Sequence, residues 1–216
     1  MNLSTERLLV RDLDRTDLTA VHRLLDVDSG MDDRSEDERA RWLTWMLLEY
    51  EQRARVHQPP YGEYAVVAAA TGELVGLVGL VPSMMPFGLL GSPRRPSRHQ
   101  SPVDSYNVPE VGLFWVTGTE HRGRGYATEA AQALIEFGFG SWKLRRMVAT
   151  TEHGNGASIA VMRRLGMRIE RNPEPAPFFL QMVGVLENPH PQPDWLDWAD
   201  DPDRPVAAEI EGAAGV

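Results

Sequence analysis

The most informative part of the sequence reads Glu110-Val-Gly-Leu-Phe-Trp-Val116, then Thr117-Gly-Thr-Glu-His121, then Arg122-Gly-Arg-Gly-Tyr-Ala-Thr128-Glu129. Apolar residues over Val111–Val116 predict a short strand, and the apolar spacing over Thr128–Phe139 predicts a helix. A strand therefore runs into a glycine-bearing turn that opens a helix. Such a turn directs free backbone N–H groups and the positive end of the helix dipole at one point. We expect an anion to bind there.

Two glycines and two arginines give this turn the composition of an anion site. Gly123 and Gly125 carry no side chain, so the backbone can approach a ligand closely. Arg122 and Arg124 can add positive charge, although either could equally be a solvated surface residue.

Two common phosphate motifs are absent. The sequence lacks G-x-x-x-x-G-K-[ST], and its only lysine, Lys143, lies elsewhere, which excludes a nucleoside triphosphatase of that type. The dinucleotide fingerprint is incomplete as well. Gly123-Arg-Gly125 is followed by Ala127-Thr128, and no acidic residue ends a strand about twenty residues later.

Periodicity along the rest of the chain predicts a mixed α/β layer fold. Helices are expected over Thr16–Leu25, Glu38–His57, Thr128–Phe139 and Ala157–Leu165. Strands are expected over Leu8–Val10, Glu63–Ala70, Glu73–Val81, Val111–Val116, Leu144–Thr150, Met167–Glu170 and Phe178–Leu186. Thr71-Gly72 joins the second and third strands as a hairpin, and the acidic stretch Asp26–Asp37 is expected to end the first helix.

Two segments stand apart in composition from this single domain of residues 1–186. The proline- and arginine-rich stretch Pro82–Pro109 predicts a long mobile insertion. It could close over a cleft or pack on a second subunit, which would make the protein a homodimer. Residues 187–216 form a tail rich in proline, aspartate, alanine and glycine, in which Trp195 and Trp198 could pack as one short turn.

Composition and charge exclude several classes of function. The 216 residues carry 22 lysines and arginines against 31 aspartates and glutamates, a net charge of −9, which argues against a general nucleic-acid or anionic-membrane binder. The absence of cysteine excludes thiolate catalysis and cysteine-ligated metals. Met1–Arg7 lacks the pattern of a secretory signal, which predicts a cytoplasmic protein. The uncharged run Leu74–Gly91 contains prolines and glycines, so we expect a buried strand and a loop there, not a membrane span.

Four blocks of sequence together resemble the GNAT acetyltransferase superfamily. Arg122-Gly-Arg-Gly125-Tyr-Ala127 matches its R-x-x-G-x-A pyrophosphate signature, which continues to Ala130. The other blocks are Thr5-Glu6-Arg7-Leu8-x-x-Arg11, Glu110-Val-Gly, and Asn155-x-x-Ser158-x-x-Val161-x-x-x-Leu165-Gly166-Met167. The blocks span about Ser4–Glu170 and look like the RimJ/RimL branch, whose best-known members acetylate the N-termini of ribosomal proteins.

The resemblance implies a GNAT fold: a mixed, mostly antiparallel central sheet, splayed at its central strands and flanked by helices. The splay would separate Val111–Val116 from Leu144–Thr150 and open a V-shaped cleft. Acetyl-CoA, the acetyl donor, would lie there with its pantetheine along Phe114, Trp115 and Val116. Its pyrophosphate would lie on the turn of residues Arg122, Gly123, Arg124, Gly125, Tyr126, Ala127 and Thr128. Asn155 and Ser158 would face the thiol end.

Acetyl transfer to an amine needs a deprotonated amine, a donor to the developing oxyanion and a place for the leaving thiolate. Without cysteine, direct attack in a ternary complex is the simplest mechanism. Backbone N–H groups around Phe114–Val116 are the oxyanion candidates. Glu110 is the candidate base, or else an exposed carboxylate at a strand end. Many GNAT enzymes carry a tyrosine where this chain has Met162, so Ser158 is the candidate for thiolate protonation, or else a small packing residue.

These features predict an N-acetyltransferase acting on a primary amine, such as a protein N-terminus. A small-molecule acetylator and a catalytically weak acyl-CoA-binding module are the alternatives. Three segments are expected to recognise the acceptor, namely the second helix, the insertion and Phe178–Gln181. Asp26, Asp28, Asp32 and Asp33 could attract a cationic amine or form a solvated loop, and Trp42 and Trp45 are expected in the core. No metal is predicted, since His57, His99, His121 and His153 lack ligand spacing.

Overall fold

A mixed sheet of eight strands forms the centre of the part of the chain that the structure, a computed structural model, describes: residues 1–29, 32–85, 108–172 and 178–189. The strands are β1 (Asn2–Ser4), β2 (Leu8–Arg11), β3 (Gly62–Ala68), β4 (Leu74–Met85), β5 (Val108–Thr117), β6 (Arg146–Thr151), β7 (Arg168–Arg171) and β8 (Met182–Glu187). They lie in the order β1-β2-β3-β4-β5-β6-β8-β7, and every neighbouring pair is antiparallel except β5 and β6. The predicted mixed α/β class is confirmed.

Helices cover both faces of this sheet. Those of the described residues are α1 (Leu18–His22), α2 (Glu36–Arg55), α3 (Tyr126–Gly140) and α4 (Gly156–Arg164). Along β3, Val66 and Ala68 pack with α3 and α4, whereas Ala65 and Val67 pack with α1 and α2. Alternate residues of a central strand are therefore buried on opposite faces. Burying a valine or leucine in this way contributes roughly 1.5–3 kcal/mol.

The predicted splay between the central strands is present. β5 pairs with β4 along its whole length, from Gly76↔Thr117 to Met85↔Val108. Its pairing with β6 is confined to Gly112↔Val148. On its other side β6 is fully paired with β8. The sheet therefore divides beyond Gly112 and leaves a cleft along the C-terminal half of β5.

The first helical region begins earlier and runs further than its sequence pattern predicts. Asp14, not Thr16, is the capping residue, and its carboxylate accepts the N–H of Thr16 at 2.7 Å. Wider helical turns continue beyond α1 to Asp28, so the acidic stretch does not end the helix at Asp26. α2 also starts two residues early, because Ser35 and Glu38 form a capping box.

The predicted insertion is shorter than its composition suggests, because both of its ends belong to the sheet. The hairpin of β3 and β4 forms as predicted, but β4 continues to Met85 and β5 already begins at Val108. Pro82 is tolerated because β3 and β4 stop pairing at Gly62↔Leu80, so no β3 carbonyl needs a proline N–H there. Residues 86–107 lie outside the described residues. In the part of the chain that the structure describes, no helix is long and apolar enough to cross a membrane.

The C-terminal part departs from its prediction in one respect. Phe178–Leu180 forms a single helical turn, and the last strand starts only at Met182. Phe178 is exposed and Leu180 is buried, which a helical turn allows and strict strand alternation does not. Of the predicted tail, residues 190–216 lie outside the described part of the chain, and Trp195 and Trp198 with them.

Candidate functional site

The glycine-bearing turn leads into α3 as the sequence predicts. Gly123 and Gly125 have φ angles of +74° and +84°, a left-handed conformation that favours glycine. The first helical hydrogen bond runs from the N–H of Glu129 to the carbonyl of Gly125, at 3.0 Å. The N–H groups of residues 126–128 therefore have no carbonyl partner in the described part of the chain. They form the donor group that the predicted anion site requires.

Two arginine side chains flank this turn, and both are exposed. The Nε of Arg122 donates to the carbonyl oxygen of Thr117 at 3.4 Å, which turns the side chain towards the end of β5. The side chain of Arg124 has no ionic partner among the described residues. Its guanidinium is free to move towards an anion at the turn.

A second layer of residues, from the start of the chain, braces the turn from behind. Arg7 donates to Glu129 from its N–H at 2.9 Å and its Nε at 2.7 Å, and Nη1 donates to the carbonyl of Arg124 at 3.0 Å. Thr5 donates its hydroxyl to Glu129 at 2.6 Å. The Arg7 guanidinium also lies 5.0 Å from the ring centre of Tyr126. These contacts attach the first turn of α3 to the segment before β2.

The hydrogen bonds from Thr5 and Arg7 change the pKa of the Glu129 carboxyl. Burial acts to raise the pKa of this carboxyl, but the hydrogen bonds from Thr5 and Arg7 outweigh burial and lower the pKa. Both donors belong to the first of the matching sequence blocks, yet their contact with Glu129 joins residues more than 120 apart. The sequence indicates this contact only in that Thr5, Arg7 and Glu129 all lie in the matching blocks.

The register of β5 narrows the choice of backbone donors in the cleft. The N–H of Gly118 donates to the carbonyl of Val75 in β4. Alternation along the antiparallel ladder then directs the N–H groups of Phe114 and Val116 towards β4 and that of Trp115 towards β6. Because β6 has diverged at that point, the N–H of Trp115 is the one of the three predicted oxyanion donors without a strand partner among the residues that the structure describes.

Glu110 is neither an exposed carboxylate nor a free base. Its side chain is only 8% exposed and forms an ion pair with Arg146 of β6. The Nε of Arg146 donates to Oε2 of Glu110 at 2.8 Å, and Nη2 contacts Oε1. Arg146 stands beside Glu110 because β5 and β6 are parallel and in register at Gly112↔Val148. The hydrogen bond that Arg146 donates to Glu110 raises the pKa of Arg146, so its guanidinium stays charged.

The start of α4 places Asn155 and Ser158 together. Asn155 is the N-cap, and its Oδ1 accepts the N–H of Ser158 at 3.0 Å. The hydroxyl of Ser158 is half-buried and has no hydrogen-bond partner within the described residues. Met162 is fully buried in the core, so its position offers no group to a leaving thiolate. Ser158 therefore remains the proton donor to be tested.

The acidic segment is not a free cluster of negative charge. Asp26 is buried and accepts two hydrogen bonds from Arg39, at 2.8 and 2.7 Å, and Asp32 accepts a third at 2.9 Å. Asp28 pairs with Arg23 at 3.4 Å. These partners neutralise most of the charge that would attract a cationic amine. Both predicted roles for the segment, an amine site and a solvated loop, are therefore wrong for Asp26.

The two tryptophans of α2 differ in their surroundings. Trp42 packs against the core and stacks on Arg39, whose guanidinium carbon lies 4.8 Å from the ring centre. Trp45 is 57% exposed, so its predicted place in the core is wrong. Both rings line an open surface pocket beside the start of α2. The residues lining that pocket are Arg34, Glu38, Arg41, Trp42 and Trp45.

Exposed aromatic residues also lie near the open end of the cleft. Met182 pairs with Thr151, the last residue of β6, three residues beyond Val148, which pairs with Gly112 of β5. Phe178 and Phe179, in the turn just before β8, are exposed and in edge-to-face contact at 5.6 Å. The turn that carries them therefore leads into β8 beside the C-terminal end of β6. Across the residues that the structure describes, no cluster of three or more His, Cys, Asp or Glu side chains could hold a metal ion.

Solved structures share this fold. An acetyltransferase from Agrobacterium tumefaciens strain C58 is 23% identical, with a TM-score of 0.62 covering 87% of this chain and 94% of that one. A RimL ribosomal L7/L12 alpha-N-protein acetyltransferase in complex with coenzyme A is 17% identical, with a TM-score of 0.58 covering 86% and 96%. A spermidine N-acetyltransferase chimera of SpeG from Vibrio cholerae and hSSAT is also 17% identical, with a TM-score of 0.54 covering 84% and 95%.

Sequence comparison gives relatives in Bacillus subtilis strain 168. Uncharacterized protein YkkB is 28% identical over 178 residues, which are 78% of this chain and 86% of that protein. Uncharacterized N-acetyltransferase YnaD is 44% identical over 61 residues, 28% of this chain and 35% of that protein. A family model described as an acetyltransferase (GNAT) domain matches residues 7–168, which is well over half of the chain. This match contains all four sequence blocks except the first two residues of one, and the chain belongs to the GNAT acetyltransferase family.

Proposed function

We propose that the protein transfers an acetyl group from acetyl-CoA to a primary amine by direct attack in a ternary complex. The proposal rests on how the structure places the cleft next to the turn before α3. The cleft beyond Gly112 opens along β5, and β5 leads straight into a turn whose first three helical N–H groups are unpaired. A long thioester with a polyanionic end fits such a strand and turn. GNAT enzymes use acetyl-CoA, which has that shape.

Each part of the cofactor has a proposed set of contacts. The pyrophosphate binds the N–H groups of residues 126–128, where the helix dipole favours negative charge. Arg122 and Arg124 add charge from the rim of the turn. The pantetheine lies along Phe114–Val116 and takes the place that β6 leaves empty. Asn155 and Ser158, at the start of α4, face the thioester from the other side of the cleft.

The chemical step then needs few side chains. The amine nitrogen attacks the thioester carbon, and the N–H of Trp115 donates to the oxyanion. The hydroxyl of Ser158 donates a proton to the departing thiolate. Glu110 is reassigned from base to structural partner of Arg146, because an arginine fork already binds both of its oxygens.

The proposed acceptor is the N-terminal amine of a polypeptide. Polyamine acetylation would call for free carboxylates near the cleft, and three of the four aspartates in the acidic segment already have arginine partners. The exposed Phe178 and Phe179 offer an apolar surface for a peptide instead. Solved structures of similar fold include both a ribosomal-protein and a spermidine acetyltransferase, so a small-molecule amine is the second candidate.

Thiol release from acetyl-CoA tests this function. The purified protein is assayed with a thiol reagent against N-terminal peptides, spermidine and an aminoglycoside, and binding of CoA is measured by calorimetry. We expect saturable CoA binding and turnover with at least one peptide. Turnover with spermidine alone would favour the small-molecule acceptor. Tight CoA binding without turnover on any amine would identify a binding module and contradict the proposal.

A further inference from the structure

The proposed reaction requires a base, and the structure offers one that the sequence motifs do not contain. We propose that Glu63 of β3, acting through water, accepts the proton that the acceptor ammonium must lose before its nitrogen attacks. This assignment rests on the proposed function and names a residue for its first step.

Glu63 belongs to a row of paired residues that crosses the sheet and ends at the cleft. It pairs with Gly79 of β4, and Gly79 pairs with Phe114 of β5. Neighbouring strands are about 4.8 Å apart, so the backbones of Glu63 and Phe114 are separated by about 10 Å. Phe114 lies beyond Gly112, where β6 has left the sheet. The row therefore ends at the cleft.

The side chains of this row point to the same face. Ala65 and Val67 pack with α1 and α2, and alternation puts Glu63 on that face too. Phe114 packs against the same cluster. Between them, Gly79 has no side chain, and a Cβ there would lie 3.3 Å from Cγ of Glu63. The glutamate therefore extends over Gly79, in the direction of β5, through space that any other residue would fill.

Among the described residues, the carboxyl group of Glu63 forms no ion pair. Its Oε2 is buried without a hydrogen-bond partner among the described residues. The facing charges are Arg39 on α2, with Asp32 and Arg34 on the segment before α2. Arg39 is already bound by Asp26 and Asp32, and Tyr50 of α2 donates to the main-chain carbonyl of Glu63, not to its carboxyl.

This environment suits a group that takes up and releases a proton near neutral pH. Burial raises the pKa of Glu63 to about 7, while the opposite effect of Arg39 is weaker. A base is most effective when its pKa lies near the working pH. Glu110 is not available for this role, because the Arg146 fork holds both of its oxygens.

The proton and electron balance of the step is simple. The acceptor R–NH3⁺ gives one proton through water to the Glu63 carboxylate, and the freed lone pair of R–NH2 forms the new C–N bond. The C–S bond breaks with its electron pair on sulfur. Ser158 gives its hydroxyl proton to the thiolate, which leaves as CoA–SH, and the second proton of the attacking nitrogen restores the Ser158 hydroxyl. Glu63 returns its proton to water, so the net products are R–NH–CO–CH3, CoA–SH and one proton.

Glu63→Gln tests the assignment, with Glu63→Asp as the conservative variant and the exposed Glu51→Gln as the matched control. Turnover of acetyl-CoA is measured from pH 5.5 to 9 with the best acceptor among N-terminal peptides, spermidine and an aminoglycoside. We expect Glu63→Gln to lower kcat at least 30-fold, to lose the rise in rate centred near pH 7 and to bind CoA as the wild type does. Glu63→Asp should keep part of the rate and the same rise, and Glu51→Gln should match the wild type.

Other results would overturn the assignment in distinguishable ways. An unchanged pH profile in Glu63→Gln, with a working wild type, would remove Glu63 and leave the proposed function intact. A loss of thermal stability and of CoA affinity in Glu63→Gln would make the residue structural. No turnover by the wild type on any acceptor would overturn the proposed function, and the role of Glu63 with it.

Discussion

Gly125 shows at a single residue why the turn before α3 suits a pyrophosphate. Its φ of +84° is strained for any residue with a side chain, and its carbonyl accepts the first hydrogen bond of the helix. Arg7 lies 3.4 Å from the position that a Cβ would take. Gly125 therefore allows the left-handed turn, begins the helix and leaves room for the Arg7 side chain.

Gly125→Glu is expected to abolish CoA binding, with an affinity loss of at least about 100-fold. The substitution puts bulk and negative charge where the pyrophosphate is proposed to bind, and both oppose a polyanion. Calorimetric titration with CoA measures the effect. Gly140→Glu is the control, because it adds the same group at the other end of α3, about 20 Å away. Retained binding in a folded Gly125→Glu protein would place the anion elsewhere.

At the scale of elements, two ion pairs connect the parts that form the site. Arg7 with Glu129 attaches the segment before β2 to the first turn of α3. Glu110 with Arg146 connects β5 to β6 two residues before the Gly112 pair, at the closed end of the cleft. One pair positions the turn, and the other holds the two strands together where the splay begins.

Glu129→Gln is expected to weaken CoA binding by about 3- to 10-fold. The neutral amide removes the charge-assisted part of the hydrogen bonds from Arg7 and Thr5, so the turn is held less firmly. The effect is modest because Arg7 is 46% exposed, and solvent screens the pair. CoA affinity is compared with that of Glu136→Gln, an exposed glutamate of the same helix. Equal affinities in the two variants would show that the brace does not affect the turn.

Glu110→Gln is expected to lower the free energy of unfolding by roughly 1–3 kcal/mol, because it leaves a partly buried arginine without its partner. Chemical denaturation at pH 7 measures this loss. Glu187→Gln is the control, since Glu187 lies 4.0 Å from Arg146 but is exposed, and its loss should cost less than about 0.5 kcal/mol. A Glu110→Gln protein of normal stability that lacks the rise in rate with pH would restore Glu110 as the base.

At the scale of the whole molecule, the pH dependence of stability follows from where the sheet buries charge. The pKa of Glu63 is raised by burial from an ordinary value of 4.5 to about 7. The folded state therefore binds a proton more tightly than the unfolded chain. The stability linked to this proton is fully present below about pH 4.5 and is lost as the pH rises through about 7.

Glu63→Gln is therefore expected to stabilise the protein at pH 8 by about 3 kcal/mol and to have little effect at pH 4.5, because the amide stays neutral at both pH values. Urea denaturation at the two pH values gives the difference, with Glu51→Gln as the control. Equal effects at pH 4.5 and pH 8 would mean that the carboxyl is not isolated in the fold. A Glu63→Gln protein that is both more stable at pH 8 and less active is expected only if both roles of Glu63 are correct.

Local patterns predicted those parts of the molecule that depend on residues close in sequence. The hairpin of β3 and β4 formed around Thr71-Gly72, and α3 followed the glycine turn as expected. Errors arose where longer pairing overrode composition. Pro82 and Pro109 suggested a loop, yet both lie in strands, because β4 and β5 continue to pair beyond the last pair of β3 with β4.

By itself the sequence determined the mixed α/β class and the turn that would hold a polyanion, because both depend on the order and spacing of nearby residues, as in Arg122-x-x-Gly125-x-Ala127. Its four motifs also indicated the family, and the splay of the sheet followed from that resemblance. Only the tertiary structure decided which carboxylates are free. Glu110 pairs with Arg146 and Asp26 pairs with Arg39, whereas Glu63 forms no ion pair within the described part of the chain. Charge pairing and burial depend on distances between remote strands and helices, and those distances exist only after the sheet has formed.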